Sequence, residues 1–448
     1  MVPYKKFLKW RRLSSTLMAA ATFFCTGTSV GCQTETKDKT MNDSFYVTSP
    51  DSPVKLDRPP IPIQPAQAGP IPRATPARGA DGCLRPFVNQ QLNSRVSRAL
   101  GAEDWKILWQ KDVSAGLYPS YVLESNNRIL AQGVDRWELF DGDGKSISTG
   151  RIGQSAVFID SAHSLFYLSD ENGYIAARRL SDGGEEFVFH AYFGKDFRQT
   201  LIERKDHRML IVSIERPTDP HGGQQPNLSV IEVQDLGAPL KTNADHILIS
   251  AKRQTNLMRD TINLHAALLG ETLVLAADQR VYFTDLDLKI NSVLQEEFTP
   301  LAMSLDEASR VYLLAQTKAG LELWLITKDG KRLMSSVLPQ DMRVNPIPPI
   351  VSYNHRTYIL GTDRVMAIGP SGKLAWVRPL KTTRASAVVT ADDQLLVSDG
   401  SELIVFDEAG KRRVLQTFVN DVLTTPPVLS SGGEILVASE RRLYCLSH

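Results

Sequence analysis

PPIVSYNHRTYILGTDRVMAIGPSGKLAWVRPL, residues 348–380, decides the fold. Apolar and polar residues alternate in four short runs, separated by Asn, Asp, Gly and Pro. Period-two alternation rich in β-branched residues predicts half-buried strands, and the punctuation predicts tight turns between them. The stretch therefore reads as strand, polar turn, strand, turn, strand, Gly-Lys turn, strand. The following stretch, SAVVTADDQLLVSDGSELIVFDEAGKRRVLQTF at 386–418, repeats the pattern. The Gly-Lys pair recurs at Gly144-Lys145, Gly330-Lys331, Gly372-Lys373 and Gly410-Lys411, the last three spaced by 42 and 38 residues. Glycine belongs at such a turn because one position needs φ > 0.

A repeat of about 40 residues with four antiparallel strands is the blade of a β-propeller. Eight units are expected, beginning near Tyr118, Gln154, Arg198, Asn263, Thr299, Pro346, Ala385 and Val422, the third being the least regular. The last unit, 422–448, stops after its third strand. Lys106-Ile107-Leu108-Trp109, upstream of the first unit, matches Lys373-Leu374-Ala375-Trp376 in the fourth strand of the sixth. The expected fold is thus all-β, an eight-bladed β-propeller of four-stranded blades over 105–448, closed by an N-terminal strand. Closure removes two open sheet edges.

Gly361, Ala367-Ile368, Gly372 and Trp376 resemble the pyrroloquinoline-quinone-type repeat, and Gly173, Ile175, Ala177 and Gly183 match it less fully. The resemblance covers about residues 105–448. It is to the propellers of quinoprotein dehydrogenases, and to the lipoprotein subunit of the outer-membrane β-barrel assembly machinery. It implies a fold and leaves the function open, since one scaffold hosts many sites.

The N-terminus reads as a secretory leader. Lys5 to Arg12 are basic, Leu13 to Phe24 largely apolar, and Ser29-Val30-Gly31-Cys32 resembles a bacterial lipobox, with Ser29 where Leu is favoured. The apolar run is too short to span a bilayer, which takes about 20 residues. Cleavage before Cys32 and acylation of its thiol are expected; the alternative is an ordinary cleaved leader. Residues 1–31 are then the signal peptide and 32–82 a tether, whose 53–80 portion carries eight prolines and favours an extended spacer. Residues 83–104 form a lead-in. Val88, Leu92, Val96 and Leu100 recur every four residues, which predicts a short amphipathic helix over 86–100.

Charge narrows the partners. The whole chain is +1, but without the five bases of residues 1–31 it holds 46 bases against 50 acids. A weakly acidic body does not gather phosphates, so no nucleic-acid partner is expected. No catalytic, cofactor or metal site is expected either. Cys25, Cys32, Cys83 and Cys445 include no adjacent pair of the quinoprotein kind. Trp109, Trp376, Trp137 and Trp324 sit in strands and read as core. Asp141-Gly142-Asp143-Gly144 resembles a calcium loop, but Ile152 stands where an EF-hand needs its twelfth-position acid, so it reads as turn chemistry. The eight histidines show no ligand spacing.

The expected function is therefore an exported, membrane-anchored propeller lipoprotein, periplasm-facing on the outer membrane or at the cell surface. It would bind an unidentified protein as a monomer. The alternative is a propeller enzyme, a quinoprotein-like oxidoreductase or a hydrolase, with its site in the central funnel. The long insertion in the third unit, with Arg216, Asp219 and His221, is a candidate partner loop. Export leaves Cys83 and Cys445 as the remaining thiols. A bond joining the chain ends is expected, with two buried free thiols as the alternative.

Overall fold

The computed structural model describes Val96, Ala99, Leu100 and most of residues 104–448. The longer stretches left out of that span are 152–156, 191–197, 204–208, 216–226, 234–248 and 255–264. Strand β1 (Lys106–Asp112) comes first. Sheet 1 is β2 (Tyr121–Ser125), β3 (Arg128–Gln132), β4 (Arg136–Asp141) and β5 (Ser146–Arg151). Sheet 2 is β6 (Val157–Asp160), β7 (Leu165–Ser169), β8 (Tyr174–Arg179) and β9 (Glu185–His190). Sheet 3 is β10 (Arg198–Glu203), β11 (Met209–Glu215), β12 (Asn227–Val233) and β13 (Ile249–Gln254). Sheet 4 is β14 (His265–Leu269), β15 (Thr272–Ala277), β16 (Arg280–Thr284) and β17 (Ile290–Gln295). Sheet 5 is β18 (Thr299–Leu305), β19 (Val311–Thr317), β20 (Gly320–Ile326) and β21 (Arg332–Val337). Sheet 6 is β22 (Ile350–Val351), β23 (Thr357–Leu360), β24 (Arg364–Ile368) and β25 (Leu374–Pro379). Sheet 7 is β26 (Ser386–Val389), β27 (Leu395–Asp399), β28 (Glu402–Phe406) and β29 (Arg412–Thr417). Sheet 8 takes β30 (Val428–Leu429), β31 (Ile435–Ala438) and β32 (Arg442–Ser447) from the C-terminus and β1 as its fourth strand.

Every sheet is antiparallel, sheets 1 to 7 as meanders and sheet 8 with β1 in the fourth place, the architecture of β-propeller blades. First strands approach first strands of the next sheet, β2 to β6, β6 to β10, and β22 to β26, so they lie innermost and the fourth strands outermost. The core lies between the sheets. Leu123, Leu130 and Phe140 of sheet 1 share a cluster with Leu436, Leu443 and Cys445 of sheet 8. Val274 and Phe283 of sheet 4 pack with Met303 and Trp324 of sheet 5. Tyr358 and Trp376 of sheet 6 pack with Val397 and Phe406 of sheet 7. Mid-strand residues are apolar on both faces, as a layer buried from both sides requires.

The recurring Gly-Lys turn seats each sheet on its predecessor. Gly410 has φ +76°, and a Cβ there would stand 2.7 Å from Cδ2 of Trp376, on the outer strand of sheet 6. Gly144 has φ +75°, and its Cβ would stand 2.7 Å from Cζ3 of Trp109. Trp109 lies on β1, so β1 does for sheet 1 what β25 does for sheet 7. Hydrogen bonds repeat the join: Ser292 Oγ to Lys328 O, Ser336 Oγ to Gly372 O, and Trp376 Nε1 to Glu408 O. Of the tryptophans expected as core, Trp137 and Trp324 are 1% exposed and Trp376 is buried, while Trp109 is half-buried against the cluster between sheets 8 and 1.

Two faces and a candidate partner-binding site

Connections between first and second strands gather on one face of the sheets. Glu124 accepts hydrogen bonds from the backbone N–H and the hydroxyl of Ser431 in sheet 8, each 3.0 Å. Asn126 Nδ2 donates to Ser161 O of sheet 2 at 3.2 Å. Asp306, fully buried, accepts from Arg310 Nε at 2.8 Å and from Tyr312 at 3.1 Å. Arg310 Nη2 reaches Nδ1 of His355 in sheet 6 at 2.8 Å, and Asn354 N donates to Asp393 Oδ1 of sheet 7 at 3.2 Å. Arginine offers only donors, so that His355 nitrogen is the acceptor. These acids hold turns to turns. Sequence reading passed over them because Glu124 and Asp393 reach into neighbouring repeats, and Asp306 holds Arg310 of its own repeat against His355 of the next. Their signal is positional: Asp160, Asp306, Ser352 and Thr390 each open the same turn.

The lead-in fastens to this same face. Val96 N donates to Val389 O at 2.9 Å, Tyr353 Oη to Val96 O at 3.1 Å, and Leu100 N to Asp392 Oδ1 at 3.2 Å. Val96, Leu100 and Trp105 join the apolar cluster between sheets 7 and 8. The helix expected over 86–100 falls mostly outside the described residues, and none of Val96, Ala99 and Leu100 is assigned to a helix.

The opposite face carries the connections between sheets and the turns between second and third strands. Two connections meet there. Thr424 Oγ1 donates to Pro119 O at 2.8 Å, joining the segment that enters sheet 8 to the one that enters sheet 1. Tyr118 is 60% exposed, Val419 77% and Val422 54%. The chain beneath them is pinned. Phe418 N donates to Ser401 O and Leu423 N to Gly400 O, both at 2.8 Å, and Tyr444 donates to Asp421 at 2.6 Å. Burial and the Asp421 carboxylate push the Tyr444 phenol up to about 12. Tyr118 itself holds φ +45°, unusual for a bulky residue. The candidate loop residues Arg216, Asp219 and His221 lie outside the described residues. The strands that flank them in sequence, β11 and β12, pair as far as Glu215 and Asn227.

Other carboxylates of the sheets and turns are also engaged. Glu322 accepts from Trp324 Nε1 at 2.8 Å, from Thr317 at 2.7 Å and from Ser335. Burial works to raise its pKa, but the hydrogen bonds and Arg332 outweigh it and hold the carboxyl below its ordinary value. Asp141 accepts from the N–H groups of Asp143 and Lys145, at 3.1 and 2.8 Å, which is the turn chemistry expected of that segment. Among the described residues no group of three or more His, Cys, Asp and Glu is placed to hold a metal.

Cys445 is 3% exposed and joins the cluster between sheets 8 and 1, whereas the lead-in packs between sheets 7 and 8. Burial, with Glu434 nearby, pushes its thiol up to about 12. Cys32 and Cys83 lie outside the described residues.

No protein-family profile matches the sequence, and no curated protein matches it. Solved structures do. BamB from Moraxella catarrhalis has 11% identity and a TM-score of 0.52, covering 77% of this chain and 100% of its own. Sqt1 from Saccharomyces cerevisiae has 10% identity and a TM-score of 0.54, covering 77% and 99%. The computationally designed Ika8 protein has 11% identity and a TM-score of 0.53, covering 75% and 98%. BamB and Sqt1 are β-propellers. With 1165 solved chains matching, the likeness identifies the β-propeller architecture and no particular activity.

Proposed function

We propose that the eight sheets are the blades of one closed propeller, which works as an exported, lipid-anchored, monomeric scaffold that binds a protein partner. The observation that carries the reading is the exposed trio Tyr118, Val419 and Val422 on two connections tied together at Thr424 and Pro119. Apolar side chains held out on a pinned backbone lose little freedom when a partner covers them. The attachment of Val96 to the other face supports the same reading. A tether from an acylated Cys32 would reach the first-turn face and leave the trio's face open to a partner. The setting is the periplasmic side of an outer membrane, or the cell surface.

Cross-linking in intact cells tests it. The double variant Tyr118→Ala, Val422→Asp is expected to lose the cross-linked partner while keeping its melting temperature and its membrane fraction. Equal capture by the variant overturns the site. Cys32→Ser is expected to move the protein into the soluble fraction, and unchanged membrane retention overturns the anchor.

A further inference from the structure

The turns between third and outer strands share the face of the first turns. Arg356 and Asn354 in the first turn of sheet 6 reach Glu408 in the third-to-outer turn of sheet 7. Along sheets 5, 6 and 7 these turns abut as one arc. Ser336 of β21 donates to Gly372 O in the turn of sheet 6. Trp376 and Arg378 of β25 donate to Glu408 O and Gly410 O in the turn of sheet 7. Each turn presents an exposed lysine and, just after it, an exposed apolar side chain: Lys331 with Leu333, Lys373 with Leu374, Lys411 with Val414. The three apolar residues are 46%, 55% and 41% exposed. Charge on the arc is one-sided. Lys328, Lys331, Lys373 and Lys411 are exposed, and among the described residues no salt bridge holds them. Two of the three acids in these turns are engaged: Asp407 accepts from Lys411 N at 2.8 Å, and Glu408 pairs with Arg356 at 3.3 Å. Asp329 is the third, and it is exposed. Other turns differ. In sheet 1 Asp141 and Asp143 accompany Lys145, and the strand continues Ser146-Ile147-Ser148-Thr149. In sheet 2 Asp182, Glu185 and Glu186 crowd the turn and pair with Arg178 and Arg179. In sheet 4 Asp285 and Asp287 outnumber Lys289.

The lead-in adds a second observation. Val96 and Leu100 bond to Tyr353, Val389 and Asp392, on sheets 6 and 7, so the body is joined to everything before Val96 in the sector that bears the arc. We infer that the arc of sheets 5, 6 and 7 rests on an anionic lipid surface, its lysines among the headgroup phosphates and Leu333, Leu374 and Val414 at the acyl boundary. Lysines beside apolar side chains suit that boundary, where cations meet anionic headgroups and apolar groups leave water. The body as a whole is weakly acidic, so the attraction is local to the arc, which salt confines to roughly 10 Å. The inference deepens the membrane-anchored part of the proposed function and rests on it, but not on the protein partner. Such an arc adds to an anchor and does not replace one, so release of the Cys32→Ser variant from whole membranes is still expected.

Vesicle sedimentation tests it, on the mature chain from residue 32 carrying Cys32→Ser and so no acyl chains. Two vesicles serve as probes: phosphatidylcholine alone, and phosphatidylcholine with an equal part of phosphatidylglycerol. The protein is expected to bind the second about tenfold or more tightly than the first at low salt, and to be released as salt rises. Lys331→Glu with Lys373→Glu and Lys411→Glu should remove that preference. Leu333→Ser with Leu374→Ser should weaken binding about tenfold. Both variants should keep the melting temperature, as the check on folding. Lys145→Glu, in the matching turn of sheet 1, should change nothing. Equal binding to both vesicles, binding to neither, or a preference that survives the triple variant overturns the inference. An equal loss from Lys145→Glu overturns it too. If neither vesicle binds and the triple variant instead loses a protein cross-linked in cells, the arc is a protein surface and the inference is overturned. If vesicle binding fails while Cys32 still holds the native chain to membranes and its partner is still cross-linked, the arc inference fails and the proposed function stands.

Discussion

At the scale of single residues, Gly410 carries two constraints at once. Its φ of +76° strains any side chain, and the site of a Cβ is already occupied by the Trp376 ring. Gly369, in the turn before it, has ordinary φ, and a Cβ would meet only Lys373 O at 3.6 Å. Gly410→Ala is therefore expected to cost about 2 kcal/mol or more, and Gly369→Ala under about 1 kcal/mol. Chemical denaturation of both variants checks the contrast; equal losses would mean that neither the positive φ nor the ring contact constrains Gly410. Cys445 makes a second test at this scale. Its buried thiol should resist alkylation while the chain is folded. The proposed bond to Cys83 predicts more: the mature exported protein, unfolded without reductant, should label at neither cysteine, and with reductant at both. Labelling that ignores reductant removes the bond. Cys445 faces sheet 1, so the bond needs the chain before Val96 to reach that side of β32.

At the scale of elements, β1 is a strand displaced in sequence from the sheet it completes. It pairs with β32 from Lys106–Ser447 to Asp112–Arg442, and Trp109 packs against Gly144. A chain lacking residues 106–112 should melt lower and self-associate, because β32 becomes an open edge. Adding the peptide Lys106–Asp112 in trans should restore the melting temperature. A truncated chain as stable as the whole would show β1 to be dispensable. The strands were legible because their signal is local: alternation, β-branched residues and Gly-Lys punctuation all act within a few residues. The closing strand was legible because it repeats the spacing of Trp376. The belt of Asp306, Arg310 and His355 was not, since its members lie 45 residues apart between Arg310 and His355 and meet only after two sheets pack. The spacing of Val96 and Leu100 identified side chains that are buried, yet Val96 spends its N–H on Val389 of another element.

At the scale of the whole molecule, each sheet relies on its neighbours for burial. The described clusters join sheets 8, 1 and 2, and run between sheets 4 and 5, 5 and 6, 6 and 7, and 7 and 8. Support of this kind suits a scaffold, because a partner can bear on one face while the opposite turns are bonded to one another. It also sets a schedule. Asp112 and Arg442, which touch across the join, are separated by 330 residues of chain. Such a join is among the slowest to form, since closing so long a loop precedes any gain from contact. A chain that emerges N-terminus first has this strand ready and must wait for almost its last residues before sheet 8 exists. Until then the lead-in and β1 have no ladder to enter, and the body stays threadable. A polypeptide cut short anywhere before Arg442 keeps β1 as a bare strand at its front. Incompleteness is thereby displayed at the N-terminus, where a protease or a chaperone can read it long before the missing end is sought.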